Sequence, residues 1–600
     1  MRISAMPRWA FQIPSCLAND LAEFKANVER FKAGTMSVEE FRAFRVPMGV
    51  YEQRESGTYM LRVRCPAGGV LPAQLRRLAH VSKSFGNGIL HVTTRQELQV
   101  HRVPLDAIHP ALESLRGAGL ATKGGGGNTV RNITACPDCG VCPRELFDVA
   151  PFAVALTERL IADPVSFQLP RKYKIAFSGC ASDCAGVTVQ DLGFITRRKD
   201  GGDGFAVYVA GGMGAKSRVA VLLHDFVPAA EAFLVAEAVK RVFNQHGERK
   251  NKHLARLRFL VERIGFITFV ELYQNQLAGL RAMNLAPLQT RAYPGNSQSA
   301  GASGPRNLKA AGQAGTLQAP VLPEFSIWRQ CHVRPQKHPG FFIVELPLPL
   351  GDIEAGKMAA LADVVAAHGD RLLCATQSQN LALRWIAESE LAALHQKLKP
   401  LELAEPRPSV LRNLVACAGA STCRLGICLS RGLAKAITAS LEASNLDLKK
   451  LGDLKIQISG CPNSCGRHPV ADIGLHGAAR RVEGRLVPHY SVLLGGRVAE
   501  GLTRFGAGAD TLPAKNVPAF LQDFLAAFLQ SAEAPDFHRF IDNGGRKTAE
   551  ELAVRYRPVP ALTADQSFYF DWDAQVPFSL EGRGPGECSA GGVPLAEPGR

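Results

Sequence analysis

One cysteine pattern occurs twice in this chain, and it constrains the fold more than any other feature. Cys136 and Cys142 form C-x5-C, and Cys180 and Cys184 form C-x3-C. Cys417 and Cys423 repeat the first pair, and Cys461 and Cys465 repeat the second. The first and third cysteines are 44 residues apart in both copies, and all four positions keep an offset of 281. Chance does not place eight of 15 cysteines this way. Four thiolates held close together serve a metal site, so the chain reads as a duplicated iron–sulfur protein.

The flanking residues keep the same offset. Arg131-Asn132 matches Arg412-Asn413, and Ser178-Gly179-Cys180 matches Ser459-Gly460-Cys461. Asp191 and Gly193 match Asp472 and Gly474. The duplication therefore covers whole domains. Residues 59–65 alternate as a strand, residues 72–85 read as a helix and 89–94 as a second strand. Residues 341–346, 353–368 and 372–376 repeat this strand–helix–strand order. Each repeat is thus a small α+β unit followed by a cysteine-bearing unit. Residues 290–322, rich in Gly, Ser, Ala, Pro and Gln, read as the linker between repeats.

Six hundred residues exceed one core and fit two to four domains. A hydrophobic fraction of 46% and a charged fraction of 21% are those of a globular protein. Residues 1–20 lack the order of a signal peptide, and no apolar run is long enough to span a bilayer. A reducing, cytoplasmic compartment is expected, where thiolates bind metal and do not pair. The net charge of +16 favours acidic partners. No zinc-finger spacing, RNA-binding signature or aromatic-plus-basic repeat supports nucleic acid.

Zinc is the competing metal, but structural zinc sites favour C-x2–4-C pairs and C-x5-C is atypical. Cys139 makes the first copy C-x2-C-x2-C, yet its counterpart is Ala420, which leaves it a spare or alternative ligand. Cys588 lies alone in a Gly- and Pro-rich tail. A second signal is cationic. Arg95, Arg131, Lys172 and Lys174 precede the first C-x3-C pair, and Lys172 and Lys174 share one face if extended. Their counterparts are Ser378, Arg412, Asp453 and Lys455. One half keeps a cationic set that the other has partly lost, which indicates one working anion site at the junction of the halves.

These residues carry a resemblance. Thr93-Thr94-Arg95-Gln96, Arg131-Asn132, the Pro170-Arg171-Lys172-Tyr173-Lys174 run, C-x5-C and Gly460-Cys461-Pro462-Asn463-Ser464-Cys465 resemble the sirohaem-dependent sulfite and nitrite reductases. The stretches 49–54, 59–64, 249–252 and 255–258 look typical of the family as well. The resemblance implies an internally duplicated α+β fold. Each repeat would hold a ferredoxin-like half-domain (49–122 and 323–404) and a sirohaem/[4Fe–4S]-type α/β domain (123–289 and 405–560). An N-terminal arm (1–48) and a C-terminal tail (561–600) would flank them.

The resemblance also implies roles. Cys417, Cys423, Cys461 and Cys465 would ligate a [4Fe–4S] cluster, with Cys465 bridging to sirohaem iron and Asn463 beside it. Arg95, Arg131, Lys172 and Lys174 would bind sirohaem and the substrate anion. The carboxylates of sirohaem need Arg and Lys partners. Sulfite or nitrite needs cations to stabilise departing oxide, and lysines can deliver protons during six-electron reduction. An acidic donor such as ferredoxin would supply electrons. The departure is the complete first set, Cys136, Cys142, Cys180 and Cys184, which implies a second cluster, with or without haem. The alternative to an enzyme is a two-cluster electron-transfer protein without substrate chemistry.

Overall fold

A computed structural model describes residues 11–291, 323–531, 536–584 and 587. Nearly all of the expected linker, and Cys588, lie outside the described residues. The described residues build four five-stranded sheets, two per repeat.

The two half-domains exchange strands. In the first, Val50–Glu52, Thr58–Val63, Leu98–Pro104 and Ile89–Val92 pair antiparallel. The fifth strand, Asp352–Glu354, comes from the second repeat and pairs with Ile89–Val92. In return, Gly69–Val70 of the first repeat pairs with Leu373–Ala375 at the edge of the second sheet. Each exchanged strand closes an edge that would otherwise expose unpaired backbone.

Glycine makes the exchange possible. Gly68 and Gly351 both have φ near +80°, and a Cβ would meet Ala375 O at 2.6 Å and Val92 O at 2.7 Å. Two buried glutamines stitch the same seam. Gln96 Nε2 donates to Ala375 O at 2.9 Å while its Oε1 accepts from Ala135 N at 3.0 Å. Gln379 Nε2 donates to Val92 O at 3.1 Å and its Oε1 accepts from Ala416 N at 3.2 Å.

The helices Pro72–Phe85 and Ala355–Ala367 pack on each other with Leu75, Leu78, Met358 and Leu361 buried between the sheets. The half-domains therefore share one core. The N-terminal arm is not irregular. It forms helices Asp20–Lys32 and Val38–Arg45, the second opened by a Ser37–Glu40 capping box. Phe24, Val28 and Phe31 stand at i, i+4 and i+7, a helical face that packs on this core.

The cysteine-bearing domains each place a short strand parallel to a buried one. Thr134–Ala135 lies beside Ile175–Ser178, and Val415–Ala416 beside Ile456–Ser459. Three antiparallel-linked strands complete each sheet. Parallel pairing points both C-terminal ends the same way. Cys136 leaves the first strand and Cys180 the second, so pairs 44 residues apart in sequence meet at one sheet edge. The C-terminal segment docks on the second domain. Asp571 accepts from Leu429 N at 2.6 Å, and Trp572 Nε1 donates to Ala514 O at 2.8 Å.

Candidate functional site

Cys417, Cys423, Cys461 and Cys465 come together beyond the strands Val415–Ala416 and Ile456–Ser459. Burial, and then the neighbouring Cys465, pushes the thiols of Cys423 and Cys461 up to about 12 and raises that of Cys417 as well. Mutual repulsion of this kind is what a cluster relieves when it takes the thiolates. Among the described residues no three His, Cys, Asp or Glu groups converge tightly enough for one metal ion. Backbone N–H groups aim at the sulfurs. Gly460 N donates to Cys417 Sγ at 3.2 Å, Leu425 N points at Cys423, and Asn463 offers both backbone and side chain to Cys461. Cys428 is a core thiol, donating to Ala478 O at 3.3 Å.

The first half faces Cys465 directly. Thr94 Oγ1 donates to Cys465 O at 2.9 Å, and Arg95 follows it. Arg95, Lys172 and Arg256 lie close enough to Lys174 to perturb it. Burial, then Arg95, Lys172 and Arg256, holds the Lys174 ammonium well below its usual range. One buried carboxylate organises this group. Asp191 accepts from Arg256 Nε and Nη2, both at 2.9 Å, and from Lys174 N at 2.9 Å.

Arg131 has a different task. Its guanidinium donates to Gly125 O at 2.8 Å and Gly127 O at 3.1 Å, so it shapes the loop 124–127. That loop needs glycine, because a Cβ at Gly124 would meet Arg64 Nη2 at 2.0 Å.

The residues present fit a carboxylate-rich macrocycle. Arg64 Nη1, Arg95 Nε, and Arg258 Nε and Nη1 are buried without a hydrogen-bond partner among the described residues. Each such group costs about 1–3 kcal/mol, and burial brings all three guanidiniums down to about 10. Anionic oxygens answer that deficit. Sequence reasoning left Arg64 and Arg258 outside the candidate set. The signal for Arg64 was present, since a strand position two residues from Arg62 shares its face.

The opposite junction, where the first cysteine set meets the second half, is neutralised. Glu345 stands at the position equivalent to Arg62 and is ion-paired to Arg412. Asp453 and Ser378 replace Lys172 and Arg95. Cys139 is fully buried in the core, and its carbonyl accepts from Arg384 Nη1 at 2.7 Å.

Comparisons with known proteins agree with this geometry. A model described as the nitrite and sulphite reductase 4Fe-4S domain matches residues 126–279 and 409–538. A model of the nitrite/sulfite reductase ferredoxin-like half domain matches residues 51–118 and 334–401. A ferredoxin–nitrite reductase of Synechococcus elongatus is 32% identical over 74% of this chain and 80% of its own length. An assimilatory ferredoxin-dependent nitrite reductase of Haloferax mediterranei is 28% identical over 89% of this chain and 91% of its own. The solved structure of the Mycobacterium tuberculosis NirA protein shares the fold, with a TM-score of 0.73 at 24% identity over 89% of this chain and 96% of that one. No helix among the described residues is long and apolar enough to cross a membrane. With both domain types matched twice, and with the cluster thiols and cationic set at their junction, the chain belongs to the nitrite and sulphite reductase family, whose enzymes carry sirohaem and a [4Fe–4S] cluster.

Proposed function

We propose that the chain reduces nitrite to ammonia with six electrons supplied by ferredoxin. Sulfite is the second substrate of the same site. One observation carries the reading: a partly buried cationic set, Arg95, Lys172 and Lys174, stands in the first half beside Thr94, which donates to Cys465 O of the second. An electron relay has no use for an anion pocket, which sets aside the two-cluster carrier. The relatives' activity toward nitrite supports that substrate over sulfite.

Sirohaem and the cluster, when bound, supply an open iron face and a store of electrons. Cys417, Cys423, Cys461 and Cys465 would hold the cluster, with Cys465 the ligand that meets the first half. Arg64, Arg95 and Arg258 would hold the carboxylates of sirohaem through their unpaired nitrogens. Lys172 and Lys174 receive the substrate anion and offset charge as its oxygens leave as water. Lys174, acidified by burial and by its cationic neighbours, gives up a proton more readily than an exposed lysine. Arg131 keeps the glycine loop in place. The surplus of positive charge suits an acidic donor.

The visible spectrum of the pure protein, with kcat/KM for nitrite and sulfite under reduced ferredoxin, tests this. Haem bands and a higher kcat/KM for nitrite are expected. Cluster absorption without haem bands or turnover would return the chain to the carrier reading. A higher kcat/KM for sulfite would reverse the substrate order.

A further inference from the structure

We propose that Cys136, Cys142, Cys180 and Cys184 hold a second [4Fe–4S] cluster that carries no haem. The inference builds on the family's cluster chemistry and is independent of the choice between nitrite and sulfite.

The first observation is the repetition of the sulfur environment, donor by donor. Gly179 N donates to Cys136 Sγ at 3.3 Å, as Gly460 N does to Cys417. Arg144 N points at Cys142 as Leu425 N points at Cys423. Ser182 offers backbone and side chain to Cys180, as Asn463 does to Cys461. N–H groups aimed at sulfur stabilise the negative charge of a cluster and tune its potential. A pair of packed thiols requires none of them. Cys136 N accordingly reaches Phe177 O at 3.2 Å just as Cys417 N reaches Ile458 O at 3.1 Å, so the peptide frame matches too.

The second observation is charge. The Arg144 guanidinium approaches Cys142, Cys180 and Cys184, and Lys455 faces Cys184. Leu425 occupies the place of Arg144 in the other copy. A thiolate-bound cluster is an anion, and in the first copy protein cations stand beside it.

The third observation argues against haem. Ser378 and Asp453 stand at the positions equivalent to Arg95 and Lys172 of the working site, and Glu345 at the position equivalent to Arg62. Arg412 is ion-paired to Glu345, and Arg334 is bidentate to Asp138 at 2.7 and 3.1 Å. Arg467, buried from the second half, lies beside Cys184 and Asp183, at the position corresponding to Gly186 in the first copy. A macrocycle rich in carboxylates would meet Glu345 and Asp453 where cations stand at the other junction.

The Cys136 thiol donates to Cys184 and the Cys142 thiol to Cys180. Two disulfides are therefore the rival outcome.

The test is iron, acid-labile sulfide and extracted sirohaem per chain in anaerobically purified holoprotein. Two clusters and a haem require roughly nine irons and eight sulfides, and one cluster and a haem roughly five and four. The wild type is expected to show the higher count, and C142S/C180S the lower count with sirohaem unchanged. C423S/C461S is the control, losing cluster and haem at the working site. If the double variant does not fold, C142S alone, with one ligand removed, is expected to lower the iron count and alter the EPR signal that is not coupled to haem. A wild-type count near five, an unchanged count in the variants, or two disulfides by mass in the first set would overturn the proposal. Loss of nitrite reduction in the control leaves the count at the first site unaffected.

Discussion

Replacing Asp191 with asparagine removes one buried negative charge and leaves the side-chain volume unchanged. Asp191 is fully buried, holds Arg256 through two bonds of 2.9 Å and receives Lys174 N at 2.9 Å. Breaking one partner of a buried ion pair costs about 3–5 kcal/mol, because the other charge stays buried and uncompensated. At about 2–4 °C per kcal/mol for a unit of this size, Tm should fall by roughly 6–20 °C. A second effect follows from the same charge. Burial, Arg95, Lys172 and Arg256 already depress the Lys174 ammonium, and Asp191 is the group that opposes them. Without it Lys174 loses its proton at lower pH, so the alkaline limb of nitrite turnover moves toward acid. Thermal unfolding of the holoprotein and a pH profile of kcat/KM measure the two effects. A Tm within about one degree of wild type, together with an unmoved alkaline limb, would refute the reasoning.

Lys172→Ala and Lys174→Ala each remove a charged donor worth about 1.5–3 kcal/mol, so anion affinity should fall roughly 10- to 100-fold, read from anion-induced shifts of the haem spectrum. Gln379→Leu leaves Val92 O and Ala416 N without partners at the seam and should cost about 2–6 kcal/mol in denaturant unfolding. His332 and His468 are buried, and burial takes them down to about 4 and about 3. Their folded values lie below the unfolded one, so the stability they permit is complete above about pH 6.5 and declines as pH falls toward 4 and 3. A urea midpoint that rises between pH 7 and about pH 4.5 would contradict this. Rates with reduced ferredoxin should fall as ionic strength rises, since surface charge reaches only about 8 Å at physiological salt; a salt-independent rate would indicate apolar docking.

Much of the molecule was legible in its sequence. The register of the cysteines carries the duplication because cluster ligands tolerate no shift in spacing. Local periodicity located the helix Pro72–Phe85 and the strand Phe341–Leu346, since each buries its own repeating face. The asymmetry of Arg95 and Lys172 against Ser378 and Asp453, on which the proposal of one anion site rests, is visible without coordinates because it is a loss of charge in one copy. The arm was misread as irregular, although Phe24, Val28 and Phe31 had helical spacing.

Tertiary structure alone decided which groups meet. No local pattern could show that Asp352–Glu354 completes the first sheet or Gly69–Val70 the second, because an edge strand takes its partner from whatever fold brings near. Nor could spacing tell Arg131 from Arg95. Both are arginines in short motifs, yet one gives its nitrogens to the carbonyls of Gly125 and Gly127, while the other donates to Asn132 O and Gln190 Oε1 and keeps a buried Nε unpaired. The sequence determines which donors exist and where the duplication holds them in register. Their division between holding the chain and waiting for a ligand depends on distances set by contacts hundreds of residues apart, and those exist only once the two halves have closed on each other.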